Sequence, residues 1–136
     1  MARLLLVFLF LSLSACSVQK PFPGVIFIRN TCNAPLPVSV TKFSGYISSL
    51  EGNEKENFTL AVGQKKAFAQ FQRSDKKQSV EWLFSDEYGG GFNLKTGNSG
   101  RQKEYSGTAI YPLLNIVSDK DQDFIYLEIN SRGICP

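Results

Sequence analysis

Short apolar runs separated by turn-forming residues constrain the fold of this chain more than any other feature. From Gly24 onward, runs rich in Val, Ile, Phe and Tyr alternate with clusters of Gly, Asn, Asp, Ser and Pro, and no segment carries a long helical stripe. This spacing is typical of β-strands. It predicts about eight strands, over residues 25–30, 36–43, 57–62, 67–72, 79–85, 91–95, 108–117 and 123–130.

Alternation of apolar and polar residues indicates which faces of these strands are buried. In the predicted strand 79–85, Val80, Trp82 and Phe84 share one face, which predicts a core face. The predicted strand 123–130 is apolar on both faces, which favours a central position in its sheet. Together these strands predict an all-β fold, a single small antiparallel β-sandwich of the immunoglobulin-like or transthyretin-like kind.

The first fifteen residues have the composition of a cleavable signal peptide. Arg3 precedes an apolar run over residues 4–11 that is too short to span a bilayer. The junction Leu13-Ser14-Ala15-Cys16 resembles the bacterial lipobox, in which a Leu and a small residue precede a lipidated cysteine. The resemblance implies a bacterial lipoprotein, with a signal peptide over residues 1–15 and a diacylglycerol thioether on Cys16. A plain secretory leader with an incidental cysteine is the alternative.

The lipobox resemblance also implies a location. Two or more acyl chains, such as a diacylglycerol and an amide-linked palmitate, anchor a protein stably. Ser17 follows Cys16 where an Asp would resemble an inner-membrane retention signal, so we expect the periplasmic face of the outer membrane in a Gram-negative host. Residues 16–23 are interpreted as the lipidated N-terminus and a tether with a reach of about 23 to 25 Å, and residues 24–136 as the folded domain.

Two cysteines remain once Cys16 is acylated. Cys32 and Cys135 form an even pair in an exported domain, which predicts a disulfide, with two free thiols as the alternative. Because Cys32 follows the first predicted strand and Cys135 follows the last, the bridge predicts that these strands lie side by side in parallel. No metal site or cofactor is predicted, since two cysteines without any histidine leave half of a zinc tetrahedron empty.

Two short motifs suggest serine-enzyme chemistry. Residues 74–77 match S-x-x-K and residues 95–97 spell K-T-G, as in penicillin-recognising enzymes, but those enzymes are far larger and no S-x-N lies between the two motifs. A general base is also hard to find without histidine or a free thiol. Asp86 and Glu87 would point to opposite faces of a strand. We therefore predict a protein that is not an enzyme.

Three further patterns have simple structural interpretations. Asp119, Asp121 and Asp123 resemble the start of an EF-hand loop, but Phe124 occupies the sixth position, where glycine is required, so a solvated turn is predicted. The polar stretch 44–56 is predicted to be an exposed loop. A positive edge that binds lipid phosphates or an acidic protein, or that protects an edge strand from aggregation, is predicted from Lys65, Lys66, Arg73, Lys76 and Lys77.

The predicted function follows from the anchor and the fold class. A formal net charge of +3 is too weak to indicate nucleic-acid binding. We predict a non-enzymatic protein-interaction module in the periplasm, for example an accessory of a secretion or envelope assembly. In size and plan the chain is similar to secretion-system lipoproteins of the type VI and pilotin kinds. An inhibitor or immunity lipoprotein against an envelope-targeting toxin or lytic enzyme, and a carrier of small apolar ligands, are the alternatives.

Overall fold

The computed structural model of the protein describes residues 20–130 and 132–136. Within these residues, nine strands form two sheets that face each other across a common core. The predicted all-β sandwich is therefore confirmed. The strands are β1 (Phe22–Arg29), β2 (Leu36–Thr41), β3 (Ile47–Ser49), β4 (Lys55–Leu60), β5 (Lys65–Arg73), β6 (Asn93–Thr96), β7 (Lys103–Ser106), β8 (Leu114–Ser118) and β9 (Ile125–Ile129).

The strands are divided five to four between the sheets. One sheet has the order β3-β5-β1-β9-β8, and the other has the order β4-β2-β6-β7. Strands β1 and β9 are parallel neighbours, with Gly24 opposite Ile125 and Ile28 opposite Ile129, whereas the other strand pairs are antiparallel. Both the parallel pairing of the first and last strands and the interior position of the last strand are confirmed.

Alternation along β1 shows how the sequence builds the core. Gly24, Ile26 and Ile28 are buried, while Val25 and Phe27 on the opposite face are only partly covered. Burial of one Ile or Leu side chain stabilises a fold by about 1.5 to 3 kcal/mol. The largest fully buried apolar side chains are Phe68, Phe84, Phe92, Ile26, Ile28, Leu36, Ile47, Leu60, Leu83, Leu94 and Ile110.

A disulfide joins the C-terminal ends of the parallel strands. Cys32 and Cys135 are bridged as predicted, with 5.6 Å between their Cα atoms. The buried Asn30 side chain shapes the turn before the bridge: its Nδ2 donates to the carbonyls of Ala34 and Leu60, both at 2.9 Å, and its Oδ1 accepts the N–H of Cys32 at 2.8 Å. This side chain has the partners that a buried amide requires.

A buried arginine organises the other end of the sandwich. Arg73, 1% exposed, donates to the carbonyl of Lys76 at 2.5 Å and to the carbonyl of Gln122 at 2.7 Å, which ties the turn after β5 to the β8–β9 turn. Burial lowers the pKa of the Arg73 guanidinium, and the nearby carboxylates of Asp119 and Asp123 oppose that shift.

The predicted strand over residues 79–85 is wrong. Residues Glu81–Phe84 form a 3₁₀ turn in which Leu83 N–H donates to the Val80 carbonyl at 3.2 Å. Val80, Leu83 and Phe84 are buried. Val80 and Leu83 have the three-residue spacing of one face of a 3₁₀ turn, whereas Val80 and Phe84 also have the even spacing of one face of a strand. Alternation over so few residues does not distinguish the two conformations.

The predicted strand 108–117 is also only partly right. Two 3₁₀ turns, Gly107–Ala109 and Tyr111–Leu113, precede β8, and Pro112 removes a backbone donor from this region.

Strand β3 lies inside the predicted loop 44–56, and β7 was not predicted. Strand β1 starts at Phe22, two residues inside the predicted tether.

The predicted signal peptide and the lipidation site Cys16 lie outside the described residues. In the part of the chain that is described, no helix has the length and apolar character needed to span a membrane.

Candidate protein-docking surface

The outer face of the four-stranded sheet is polar. It is formed by alternate residues of β2, β4, β6 and β7. Most of the residues between them, such as Val38, Val40 and Leu94, are buried in the core. An antiparallel sheet with one face on the core and one face in water shows this pattern. The outward residues are Ser39, Thr41, Lys55, Asn57, Thr59, Asn93, Lys95, Glu104 and Ser106.

The outer face of the five-stranded sheet is apolar and aromatic over its central part. We call Val25, Phe27, Val117, Phe124 and Tyr126 the apolar outer patch. The Tyr126 ring lies 5.8 Å from the Phe27 ring and 4.6 Å from the Phe124 ring, between centroids. Val117 is 50% exposed and Tyr126 is 43% exposed. Solvent-exposed apolar groups that touch one another mark interaction surfaces more often than isolated ones do.

An ion-pair cluster bounds this patch toward the disulfide. Glu128 follows the patch on β9 and accepts from Arg29 Nε at 2.9 Å, while Lys65 Nζ lies 2.5 Å from its other oxygen. These partners, with the hydrogen bond from Arg29 as the largest cause, lower the pKa of Glu128 to about 2. Lys65 Nζ also lies 4.2 Å from the centroid of the Phe27 ring, so the cluster covers one end of the patch.

Strand β8 forms an open edge beside the apolar outer patch. It pairs with β9 on one side only and ends the five-stranded sheet. Asp119 N–H donates to the Phe124 carbonyl, and because bonded pairs alternate in antiparallel ladders, Val117 and Asn115 also bond to β9. The N–H and C=O groups of Ile116 and Ser118 therefore point away from the sheet, and no backbone hydrogen bond from a turn or loop of the described residues uses them.

The four edge strands of the molecule differ in how they are protected. Strand β4 carries Lys55 and Glu56, strand β7 carries Lys103 and Glu104, and β3 has only three residues. Charges and short length are the usual devices that prevent edge-to-edge pairing. Strand β8, with the sequence Leu-Asn-Ile-Val-Ser, has neither a charge nor a proline.

A groove runs along the inward side of the β8 edge. Ile116, 45% exposed, points to this side because it pairs with the buried Leu127. The groove has a volume of about 210 Å³, and Val80, Tyr111 and Ile125 line its apolar part. An extended chain added to β8 would therefore meet apolar side chains on both of its faces.

The predicted positive edge is wrong. Strand β5 lies between β3 and β1, so it is not an edge strand. Lys65 binds Glu128, Lys76 binds Asp123, and Arg73 is buried.

The fourth basic residue of that group, Lys77, lines the groove beside the β8 edge. The fifth, Lys66, lies on β5 beside the buried carboxylate of Glu56. Its Nζ is 3.9 Å from Glu56, and it also contacts the Phe58 ring at 4.3 Å. Burial raises the pKa of the Glu56 carboxyl, and the charge of Lys66 opposes that shift. Lys66 therefore compensates a buried charge rather than presenting its own charge to a ligand.

The residues of the serine-enzyme motifs have structural partners. Ser74 Oγ lies 3.1 Å from Gln78 Oε1, and Thr96 Oγ1 donates to the Ile134 carbonyl at 2.6 Å in a buried position. The predicted turn at Asp119–Asp123 is confirmed, since Asp119 Oδ2 accepts the N–H of Phe124 at 3.2 Å. The described residues contain no group of three or more His, Cys, Asp or Glu side chains placed to hold a metal ion.

Sequence reasoning missed Ile116 and Val117 as docking residues. The available signal was a strand without charge, since residues 114–118 contain no Lys, Arg, Asp or Glu. A strand without charged residues indicates a candidate docking edge only when the strand lies at the edge of its sheet. The order of strands depends on contacts between distant segments, which the sequence of one strand does not show. No protein-family model, curated protein sequence or solved structure matches the chain.

Proposed function

We propose that this protein is a lipid-anchored, non-enzymatic interaction module of the outer membrane that binds an extended segment of a partner protein along β8. The observation that carries the proposal is the β8 edge, which is exposed, uncharged and unpaired on one side. Proteins use such an edge to accept a strand from a partner, with main-chain hydrogen bonds supplying affinity and side-chain contacts supplying specificity. The absence of histidine from the chain agrees with a binding role.

The surroundings of β8 define the chemistry of the partner segment. Its main chain would bond to the outward N–H and C=O groups of Ile116 and Ser118. Because side chains alternate along a strand, one set would cover Val117 and Tyr126 of the apolar outer patch. The other set would enter the groove beside Ile116 and Ile125. The partner segment is therefore an extended strand with apolar residues on the face toward the patch. Its other face would combine apolar and polar residues, because Lys76 and Lys77 also line the groove.

The position of β8 suits a partner near the membrane. Cys16 precedes Phe22 by six residues, which reach about 20 Å when extended. Ser118 pairs with Ile125, which pairs with Gly24 near the start of β1, so this end of β8 is the end nearer the anchor. In an anchored domain, the Ser118 end of β8 would lie nearer the membrane and the Leu114 end would lie farther from it. An inhibitor or immunity role would use the same edge and would differ only in the identity of the partner.

The anchor is tested separately from the docking edge. Wild-type protein expressed in its host should incorporate labelled palmitate, and Cys16→Ser should leave an unlabelled, full-length precursor. Cys32→Ser provides the matched control, because it removes a cysteine without touching the lipobox. Label on the Cys16→Ser protein, or no label on the wild type, would overturn the lipoprotein assignment.

The docking edge is tested by photo-crosslinking in the native envelope. p-Benzoylphenylalanine at position 117 should give one specific adduct, whereas the same group at position 39, on the polar face, should give none. The adduct should disappear in Ile116→Pro, which is tolerated at a sheet edge and removes both the outward N–H of residue 116 and the Ile116 side chain from the groove. When the captured partner is purified and added to the wild-type protein, it should slow hydrogen exchange at the amides of Ile116 and Ser118.

Three outcomes would contradict this function. Adducts from position 39 and not from position 117 would place the partner on the other sheet. An adduct that consists of two copies of the chain would make β8 a dimer interface. Capture that survives in Ile116→Pro would show that the partner does not add a strand. Unchanged hydrogen exchange of the Ile116 amide when the purified partner is added to the wild type would show the same.

A further inference from the structure

Three aromatic rings form a cluster at the end of the sandwich where β1 begins. Tyr46 precedes β3, Trp82 lies in the 3₁₀ turn Glu81–Phe84, and Tyr88 ends a second 3₁₀ turn. Their centroids lie 5.1 to 5.7 Å apart, and each pair of ring planes is nearly perpendicular, at 79 or 80°. Tyr46 is 51% exposed and Tyr88 is 38% exposed. The fold thus holds a rigid aromatic ridge in solvent at a site distinct from β8.

A neutral depression lies beside this three-ring cluster. It has a volume of about 360 Å³ and is lined by the three rings together with Gln72, Ser74 and Gln78. None of these side chains is charged, so the site complements an uncharged ligand. A few polar groups among aromatic side chains are typical of sites that orient a ligand by hydrogen bonds.

Two hydrogen-bond donors at the depression have no acceptor among the described residues. Gln78 Oε1 already accepts from Ser74 N at 2.9 Å and lies 3.1 Å from Ser74 Oγ, so the Gln78 amide nitrogen is the group left for a ligand. Trp82 Nε1–H, a donor only, is covered and has no acceptor among the described residues. A buried donor without an acceptor is costly, so a ligand oxygen that reaches it gains affinity.

A methylammonium ion fits this geometry poorly. It needs space between ring faces, but these rings touch one another and no carboxylate lines the depression. A polyproline II segment presents carbonyl acceptors without internal hydrogen bonds, and its prolines have no N–H.

We propose that the three-ring cluster and its depression bind a proline-rich polyproline II segment of a protein. Proline rings pack against Tyr46 and Tyr88, and a peptide carbonyl accepts from the Gln78 amide. Aromatic-lined grooves with a few donors recognise this conformation in unrelated domains. This site goes beyond the β8 docking function and does not depend on it.

The sole tryptophan of the chain lies in this site, so its signals report binding directly. Decaproline added to the full mature protein should shift the single indole N–H cross-peak in an ¹⁵N correlation spectrum, whereas a ten-residue Gly/Ser peptide should not. Tyr46→Ala should weaken decaproline binding by about tenfold or more, the loss expected for an aromatic anchor. Val62→Ala, at an exposed apolar residue outside the site, should bind like the wild type.

The opposite results would overturn the proposal. An indole that does not respond to decaproline at millimolar concentration would exclude this ligand class. A response to chitotetraose without a response to decaproline would make the site a saccharide site. Equal decaproline affinity of wild type and Tyr46→Ala would place binding elsewhere, and loss of the β8 adduct would leave this proposal unaffected.

Discussion

The outer faces of the two sheets cover the same core but differ in chemistry. Ser39, Asn57 and Lys95 on the four-stranded sheet present polar groups to water. Val117 and Tyr126 on the five-stranded sheet present apolar groups, and the adjoining β8 edge lacks the charges that guard β4 and β7. Since one core supports both faces, stability alone does not require the apolar face. This difference is the reason for proposing the five-stranded sheet, and not the four-stranded sheet, as the docking side.

The sheets also differ in how their strands are held together, and the disulfide should show the largest effect. Only the five-stranded sheet has a parallel pair, and Cys32–Cys135 closes it across 103 residues. The double variant Cys32→Ala with Cys135→Ala should lose roughly 2 to 5 kcal/mol of unfolding free energy in denaturant titrations. Each single variant should cost about as much, because either change opens the same loop. Two free thiols in denatured, unreduced wild-type protein would remove this distinction between the sheets.

A close cross-strand contact in the five-stranded sheet should give the next largest effect. A Cβ added at Gly24 would lie 2.1 Å from the tip of the Phe71 ring, which packs over this glycine. Gly24→Ala should therefore cost about 1 to 3 kcal/mol in the free energy of unfolding. Gly45→Ala is the matched control, because a Cβ there meets nothing within 4 Å. Equal stability of the two variants would show that β1 and β5 can separate freely at this point.

The ion-pair cluster should make the five-stranded sheet sensitive to acid. The pKa of Glu128 is lowered from 4.5 to about 2, so its carboxylate stabilises the fold above pH 4.5 and that contribution is lost as the pH falls toward 2. Glu128→Gln should flatten the decline in melting temperature over this range. Glu104→Gln, which removes the exposed partner of Lys95 on the polar face, should leave the profile unchanged. A profile that the two variants alter equally would contradict a special role for Glu128.

The smallest effect is expected for the apolar outer patch itself. Val117→Thr should change the free energy of unfolding by less than about 0.5 kcal/mol, because the side chain is half exposed. The same variant should reduce binding of an apolar dye such as ANS and should weaken binding of the purified partner. Thr59→Val on the polar face, the reverse exchange, should increase dye binding and leave binding of the purified partner unchanged. A large stability loss in Val117→Thr would mean that the patch serves folding instead of docking.

The sequence was informative where one local pattern had one structural solution. Strands β1, β2, β4, β5 and β9 were predicted because their alternation extends over several residues, and the parallel pairing followed from the cysteines. Residues 79–85 were misassigned because Val80, Leu83 and Phe84 also fit a 3₁₀ turn. Strands β3 and β7 are too short and too polar to be recognised before their partners are known.

The candidate docking residues could not be predicted for a different reason. Ile116 and Val117 are ordinary strand residues in the sequence, and their exposure depends on where β8 lies in its sheet. Likewise, Tyr46, Trp82 and Tyr88 come from three separate turns, and only the tertiary fold brings their rings into contact. Local sequence patterns carry no information on such long-range proximity.

The disulfide also determines how the domain would respond to a mechanical load. A pulling force applied between the chain before Phe22 and the chain after Cys135 runs along β1, crosses the bridge from Cys32 and leaves the domain. The residues enclosed by the bridge carry none of this tension, although their extended length would be about 350 Å. Force applied in this way shears β1 against β5 and β9 but does not extend the enclosed residues while the bridge is intact. A partner bound at β8 would instead load the sheet through β9 and β1, because β8 lies within the enclosed segment.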